Sequence, residues 1–318
     1  MAPFGREIPG IPRSYAALVQ PPSVSDDYYD GAGVSRASRA AAALALGSIV
    51  SVQCGSALAT TLFDSVGPRG AVALRSAFGA LALLALARGR LPRPRGVGLR
   101  DVVLFGLALA GINLLFYAAL DRLPLGIAVT LEFVGPLGVA VFGSRQRRDL
   151  LWALLAAVGI VLLSDGGGGG IDPLGAALAL GAGGFWALYI LQSDRVGSRY
   201  PGLGAAAISA AIAAVLVAPL GIAQGGGELL APASLAVGLA VGVLSSAIPC
   251  AFEMEALRRL PRATFGVLMS LEPAVAATIG FVALSQDLAP LELLAIALVV
   301  VACAGALRTA ATPPPRDG

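Results

Sequence analysis

The stretch LPLGIAVTLEFVGPLGVAVFGSR, residues 123–145, decides the fold class of this chain. Apart from Glu132, residues 124–143 carry no charge, and about 20 helical residues are enough to cross a hydrocarbon core of about 30 Å. Backbone groups in lipid must be satisfied within their own segment, and this run is too long for a barrel strand. The stretch therefore predicts a transmembrane helix with a carboxylate near its middle.

The composition of the whole chain excludes a water-soluble fold. Of its 318 residues, 57% are hydrophobic and 13% are charged, and the mean hydropathy is +0.83. Histidine is absent and every basic residue is arginine, so a proton relay would have to use carboxylates, tyrosines or water. The three cysteines lie singly in apolar runs without CxxC spacing, which predicts neither a disulfide framework nor a zinc site. We expect no metal and no cofactor.

Ten apolar runs long enough to be membrane spans recur along the chain, separated by short polar breaks. The run at 150–164 is short, and we expect it to extend toward Arg148 or to lie beside a thinner part of the bundle. The segments 1–38 and 308–318 lack such runs and are interpreted as cytoplasmic tails, the first of them disordered. The predicted spans are 40–63, 69–87, 102–120, 124–143, 150–164, 173–192, 203–222, 234–255, 264–284 and 291–307.

The arginines alternate between the two sets of loops that these spans define. Sixteen arginines fall in one set, whereas the other set carries only Arg69 and Arg122. By the positive-inside rule the arginine-rich set faces the cytoplasm. This pattern predicts a multi-pass protein of the inner membrane with both termini in the cytoplasm and the glycine-rich loops at 164–172 and 224–228 outside. The arginines form no continuous stripe, so we do not expect nucleic acid as a partner.

Three short motifs occur twice in the same order, at offsets of 134, 137 and 140 residues. The chain is therefore interpreted as two five-span units, residues 39–165 and 171–307. Because five is odd, the second unit enters the membrane inverted, an architecture that places a substrate site near the midplane and alternates between inward-open and outward-open states. The motifs are AALALG at 42–47 and 176–181, ALxRLP at 119–124 and 256–261, and Leu-Glu at 131–132 and 271–272.

Ionisable residues within the spans are candidates for function, because each costs about 2.5 to 3.5 kcal/mol on insertion scales. They include Glu132, Glu253 and Glu272. Pro136, one turn after Glu132, has no N–H and leaves the carbonyl of Glu132 without its helical donor, so a carboxylate and a free carbonyl coincide at one level. Alternatively, each glutamate pairs with a neighbouring helix and only fixes packing.

Arg75 in the second span has two interpretations. It binds a substrate carboxylate in a bidentate manner, or it pairs with Glu132 at a similar depth. Together the two side chains would cradle an amino acid, with the guanidinium on its carboxylate and Glu132 on its ammonium group. Glu255 differs from the other glutamates, because a surface ion pair with Arg259 one turn away explains it.

Uncharged polar and aromatic side chains add a candidate lining for a substrate pathway. Gln53 lies in the first span, Asn113 and Tyr117 are spaced i and i+4 in the third, and Trp186 and Tyr189 are spaced i and i+3 in the sixth. Hydrogen bonds between helices and placement at the membrane interface are the alternatives.

Three stretches carry a family resemblance: residues 123–145, GAALALGAGGFWALYIL at 175–191, and LSSAIPCAFEMEALRRLPRATFGVLMSLEPAVAA at 244–277. They resemble the threonine/homoserine exporter branch of the drug/metabolite transporter superfamily, which is built from two EamA-type units. The resemblance implies a ten-helix inverted-repeat bundle that exports amino acids and is driven by the proton gradient. The residues that match this branch by position are Arg75, Asn113, Tyr117, Glu132, Trp186, Tyr189, Glu253 and Glu272.

We therefore predict an all-α integral membrane protein that exports threonine, homoserine or a similar small amino acid by proton antiport through Glu132, Glu253 or Glu272. The expected partners are this small-molecule substrate and membrane lipid. Efflux of another metabolite or drug is the alternative within transport. An intramembrane enzyme would need catalytic residues clustered at one membrane face, and a scaffold would not explain the charges within the spans. The chain also lacks a nucleotide-binding motif, which argues against ATP-driven transport.

Overall fold

The computed structural model describes residues 36–88, 90–93, 95–143, 149–165, 171–200 and 203–310, and within them the regular structure is entirely helical. The predicted tails are 1–38 and 308–318; residues 36–38 and 308–310 instead belong to the first and last helices. The remaining tail residues, 1–35 and 311–318, and the glycine run at 166–170 lie outside the described residues. A 3₁₀ turn, Gly226–Leu230, precedes the helix Pro232–Gly242, and a π-helical segment, Val243–Ala247, follows this helix. The α-helices are α1 (Arg36–Thr60), α2 (Phe63–Leu86), α3 (Val97–Leu120), α4 (Leu125–Glu132), α5 (Val134–Gly143), α6 (Asp149–Asp165), α7 (Pro173–Arg199), α8 (Gly204–Gly225), α9 (Pro232–Gly242), α10 (Ile248–Leu257), α11 (Arg262–Met269), α12 (Glu272–Leu284) and α13 (Pro290–Ala310).

Nine helical stretches among the described residues are long and apolar enough to cross a membrane. A further apolar helix, Leu150–Leu163 within α6, is shorter, at roughly 20 Å for a rise of 1.5 Å per residue. The chain is therefore a multi-pass membrane protein, and the fifth predicted span, 150–164, corresponds to this shorter helix.

The junction between the first two helices differs from the prediction. α1 ends at Thr60, and α2 begins at Phe63, six residues before the predicted start of the second span. One turn of α2 is followed by Gly67, with φ 71° and ψ 169°, and regular helix resumes at Pro68. Glycine adopts a positive φ without a Cβ penalty, and proline is favoured at the first position of a helix. The predicted start at 69 thus corresponds to the main body of α2.

α7 extends to Arg199, beyond the end predicted at 192. Its start is fixed by Asp172, whose Oδ1 accepts hydrogen bonds from the N–H groups of Leu174 (2.8 Å) and Gly175 (3.0 Å), with Pro173 at the first helical position. Because a polar helical turn is stable outside lipid, hydropathy alone placed the end of α7 too early.

The most extensive helix packing joins the two halves of the chain. α2 packs on α8, α3 on α7, α1 on α10, α4 on α12 and α6 on α13. At the crossing of α4 and α12, a Cβ atom at Gly126 would approach Cα of Ala277 to 2.7 Å. Small residues of this kind allow close contact between helices in lipid, where packing replaces the hydrophobic effect as the force for association. The two halves therefore interleave in one bundle.

One end of the bundle is rich in arginine. Arg199, at the end of α7, forms an ion pair with Asp101 near the start of α3. Ala45 of α1 and Ala256 of α10 belong to one buried cluster at the same end. We call this the arginine-rich end, and its assignment to the cytoplasm stays a prediction.

At the opposite, arginine-poor end, side chains of one half hold backbone or charged groups of the other. Arg122 pairs with Asp172 at 2.9 Å. The Oε1 atom of Gln224 accepts a hydrogen bond from the N–H group of Arg69 at 2.8 Å. Gln286 likewise accepts from the N–H group of Leu125, the first residue of α4, at 2.9 Å. These three contacts join the halves at this end.

Candidate functional site

The helix predicted over 124–143, with a carbonyl freed by Pro136, is interrupted beside Glu132 in the structure. α4 ends at Glu132, and α5 begins two residues later at Val134. Pro136 has no N–H to donate to the carbonyl of Glu132. The backbone of α7 packs against this carbonyl, because a Cβ atom at Gly183 would come within 2.5 Å of it. The freed carbonyl therefore faces a neighbouring helix at a glycine.

The second half has a break at the same motif. α11 ends at Met269, and α12 begins at Glu272 with Pro273 in its first turn. Gln53 of α1 donates a hydrogen bond from Nε2 to Oε1 of Glu272 at 2.9 Å. Glu132 and Glu272 are 6% and 7% exposed, so each helix break buries a carboxylate.

The two buried carboxylates and Arg75 form one electrostatic group. Glu272 lies within electrostatic range of Glu132, and Arg75 lies within electrostatic range of both glutamates. The guanidinium carbon of Arg75 lies 5.3 Å from the centroid of the Tyr117 ring, within the range of a cation–π interaction. None of the ion pairs among the described residues includes Arg75. The predicted pairing with Glu132 is therefore an interaction at longer range, and the N–H groups of Arg75 can bind an anion.

A third carboxylate, Glu253 on α10, lies near this group. Its Oε1 atom accepts a hydrogen bond from Oγ of Ser48 at 2.7 Å. Glu253 lies within electrostatic range of Glu272 and of Tyr189 on α7. Three glutamates from three helices therefore form a connected set.

The candidate aromatic and amide side chains have separate environments. Trp186 meets Phe133 edge-on, with ring centroids 4.9 Å apart, so it packs at the break beside Glu132. Tyr189 stacks on Phe105 at 4.6 Å. Asn113 donates from Nδ2 to the carbonyl of Leu109 in its own helix at 2.9 Å, which is a bond within α3 and does not join two helices.

The structure thus brings Gln53, Arg75, Tyr117, Glu132, Glu253 and Glu272 together. Trp186 and Tyr189 lie at the edge of this group. The hydrogen bond of Asn113 is to its own helix. The ion pair predicted for Glu255 is confirmed, since Glu255 pairs with Arg259 and also with Arg258. Among the described residues, no three His, Cys, Asp or Glu side chains converge in a group that could hold a metal ion.

Sequence reasoning missed several uncharged polar residues. Ser48 holds Glu253, and Ser51 donates to the carbonyl of Leu244 in the π-helical segment at 2.7 Å. Their spacing of three residues in an apolar helix was a usable signal. Ser76 and Ser245 are also buried, and the hydroxyl of each lacks a hydrogen-bond partner among the described residues. No sequence pattern distinguishes these two from serines that bond within their own helix.

Comparison with solved structures supports the fold. A crystal structure superposes with a TM-score of 0.61 at 21% sequence identity, covering 86% of this chain and 98% of that chain. At this identity the match shows the fold alone.

Comparison with other sequences identifies the family. Residues 173–308 match the model of the EamA-like transporter family. The threonine/homoserine exporter RhtA of Salmonella typhimurium (strain LT2) is 44% identical over 261 residues, which cover 81% of this chain and 88% of the exporter. RhtA of Escherichia coli (strain K12) is 43% identical over 263 residues, 82% and 89% of the two chains. The uncharacterized transporter YwfM of Bacillus subtilis (strain 168) is 27% identical over 208 residues, 63% and 70% of the two chains. The chain thus belongs to the EamA-like transporter family.

Proposed function

We propose that this protein exports threonine, homoserine or a similar small amino acid across the inner membrane in exchange for protons. The observation that carries the proposal is the 44% identity, over 81% of the chain, to a relative named as a threonine/homoserine exporter. The buried group of charges is chemically suited to this class of substrate.

An amino acid is a zwitterion, and the site offers groups for both of its charges. The Arg75 guanidinium has N–H donors for a carboxylate, and the carboxylates of Glu132 and Glu272 can accept from an ammonium group. The Oε1 atom of Gln53 and the hydroxyl of Tyr117 are buried without a hydrogen-bond partner among the described residues. Buried polar atoms of this kind are normally satisfied, and the hydroxyl of threonine or homoserine would satisfy one of them.

Proton exchange follows from the use of carboxylates as the ammonium-binding groups. A carboxylate at this depth can carry either a proton or the substrate ammonium group. Binding of one then releases the other, which couples export to proton entry through Glu132, Glu272 or Glu253. In this proposal no separate proton-carrying residue is needed.

The transport cycle in this proposal alternates access to the site from the two membrane faces. The breaks at Glu132 and Glu272 resemble the discontinuous helices with which inverted-repeat transporters form sites at the midplane. One part of the bundle, in which the two five-span units 39–165 and 171–307 interleave, would rock against another around this site. The contacts at the arginine-poor end, such as the one between Gln286 and Leu125, would open in one of the two states.

Proteoliposomes test the proposal. Purified protein is reconstituted with labelled threonine or homoserine inside, and release is followed with and without an imposed pH gradient. We expect release that is faster when protons flow opposite to the amino acid, and a Glu255→Gln control that behaves like wild type. If no amino acid is released, the export of amino acids is wrong, and efflux of another metabolite becomes the better proposal.

A further inference from the structure

A cavity of about 390 Å³ lies at the arginine-rich end, between the start of α3 and the end of α7. Arg100, Asp101 and Leu104 line it from α3, and Arg195 and Arg199 line it from α7. Asp101 is 7% exposed and forms an ion pair with Arg199. Among the described residues, Arg100 and Arg195 take no part in an ion pair, and both are exposed. Among the described residues that line the cavity, two arginines are therefore without an ion-pair partner.

The walls of this cavity are held in place by direct packing. A Cβ atom at Gly98 would approach Cζ of Tyr200 to 3.0 Å and Cδ of Arg199 to 3.4 Å, so the end of α7 rests on the backbone of α3. The ion pair between Asp101 and Arg199 joins the same two helices. Arg100 and Arg195 thus project from two helices that are in direct contact in this structure.

Apolar surface continues from the cavity toward the middle of the membrane. Leu104, one turn deeper than Arg100, lines the cavity, and Leu107 beyond it is 43% exposed. On α7, Leu191 lies one turn deeper than Arg195 and is 52% exposed. The arginines stand near the ends of the apolar helices Gly98–Leu120 and Pro173–Arg199. Because such ends meet the membrane surface, we expect both arginines at the depth of the lipid headgroups.

We infer that this cavity binds an anionic phospholipid, with the phosphate between Arg100 and Arg195 and an acyl chain along Leu107 and Leu191. The charge complementarity selects an anionic headgroup, because the cationic group of a zwitterionic lipid would meet two unpaired arginines. The exposed leucines select a lipid over a soluble phosphate, because a soluble anion gains nothing from them. This site is distinct from the buried glutamates, and the inference does not depend on what the protein exports.

Lipid titration of the full-length protein in detergent, followed by native mass spectrometry, tests this inference. The probes are phosphatidylglycerol and phosphatidylcholine, and the variant is Arg100→Gln/Arg195→Gln. The control is Arg258→Gln/Arg259→Gln, which removes two arginines that are already paired with Glu255 at the same end. We expect wild type to prefer phosphatidylglycerol, the variant to bind it about 30-fold more weakly, and the control to match wild type.

Two further measurements separate the role of the arginine charges from the role of the lipid acyl chain. The variant Arg100→Lys/Arg195→Lys keeps both charges, and we expect its affinity for phosphatidylglycerol to stay close to that of wild type. Glycerol phosphate tests the headgroup without the chain, and we expect it not to displace the lipid at equal concentration. Wild-type affinity in the glutamine variant, a loss in the lysine variant as large as in the glutamine variant, or displacement by glycerol phosphate would overturn the inference.

Discussion

The two helix breaks carry the same Leu-Glu motif but hold their glutamates differently. Glu132 is the last residue of α4, and among the described residues it accepts no hydrogen bond from another side chain. Glu272 is the first residue of α12 and accepts one from Gln53. Similar sequence at the two breaks therefore gives one carboxylate that is held by another side chain and one that, among the described residues, is not.

The largest effect is expected from Glu132→Gln, because a carboxylate that has no side-chain hydrogen bond among the described residues can pass most readily between a proton and the substrate. Removing its charge while keeping its shape should lower the initial rate of amino-acid release from proteoliposomes by about 100-fold or more, since no other group at that break can replace it. Glu132→Asp keeps the charge and should retain part of the rate. Full activity in Glu132→Gln would show that the two glutamates do not differ in this way.

Arg75→Ala tests the group that acts on both glutamates. Charge-assisted hydrogen bonds are worth about 1.5 to 3 kcal/mol, so we expect kcat/KM for export to fall by about 10-fold to 100-fold. Arg69→Ala, on the same helix but at the arginine-poor end, is the control and should transport normally. Unchanged transport by an Arg75→Ala protein that still inserts into the membrane would exclude the proposal that Arg75 binds the carboxylate of the amino acid while Glu132 binds its ammonium group.

Gln53→Leu sharpens the comparison, because Gln53 contacts only one of the two glutamates. We expect transport to slow by about tenfold, the value of one hydrogen bond to a charged group. In double-mutant cycles, the effect of Gln53→Leu on the transport rate should be less than additive with that of Glu272→Gln, because the two residues are in contact. It should be additive with the effect of Glu132→Asp. Equal coupling to both glutamates would contradict the assignment of Gln53 to the second break.

Gly183→Ala tests the packing of the first break. Its methyl group would meet the carbonyl of Glu132, so we expect a loss of about 1 kcal/mol or somewhat more in the free energy of unfolding. Gly184→Ala is a matched control one residue away, where a Cβ atom would meet nothing within 4 Å. Thermal unfolding in detergent compares the two, and equal stability of both variants would refute the close approach at Gly183.

The smallest effect is expected at Asp172, a partly exposed carboxylate that, like Glu272, lies at a helix start. Hydrogen bonds from Gly175 N–H, from the Arg122 side chain and from Leu174 N–H hold the pKa of Asp172 below its usual value. Its contribution to stability is therefore present above the unfolded pKa of about 4 and is lost as the pH falls through the lower folded value. Asp172→Ala should unfold at a slightly lower temperature than wild type at pH 7, and the difference should shrink near pH 3. A difference that is as large at pH 3 would show that the charge is not responsible.

The position of both breaks was largely accessible from the sequence. The repeated Leu-Glu pair, together with Pro136 and Pro273, marks where a helix loses a backbone hydrogen bond, and these features are local. The contacts that surround the two breaks could not be predicted from the sequence in the same way. The contact between Gln53 and Glu272 joins residues that are 219 positions apart, and the position of Arg75 over Tyr117 depends on how α2 and α3 are rotated.

Helix ends show the same division. Hydropathy gave the apolar part of α7 but not its final polar turns, because a helix can continue into water once its end is held by contacts such as that between Arg199 and Asp101. The 67–68 kink was likewise hidden within a polar break, although glycine followed by proline is a signal for a helix start.

By itself the sequence determined the membrane class, the approximate spans and the residues that had to be removed from lipid, because the cost of transferring each segment into a bilayer depends mainly on that segment's own composition. The tertiary structure decided which of those residues meet, that the two halves interleave, and that Glu272 has a partner while Glu132 has none among the described residues. These features depend on which helix faces which, and that is set by small-residue packing between segments far apart in the chain.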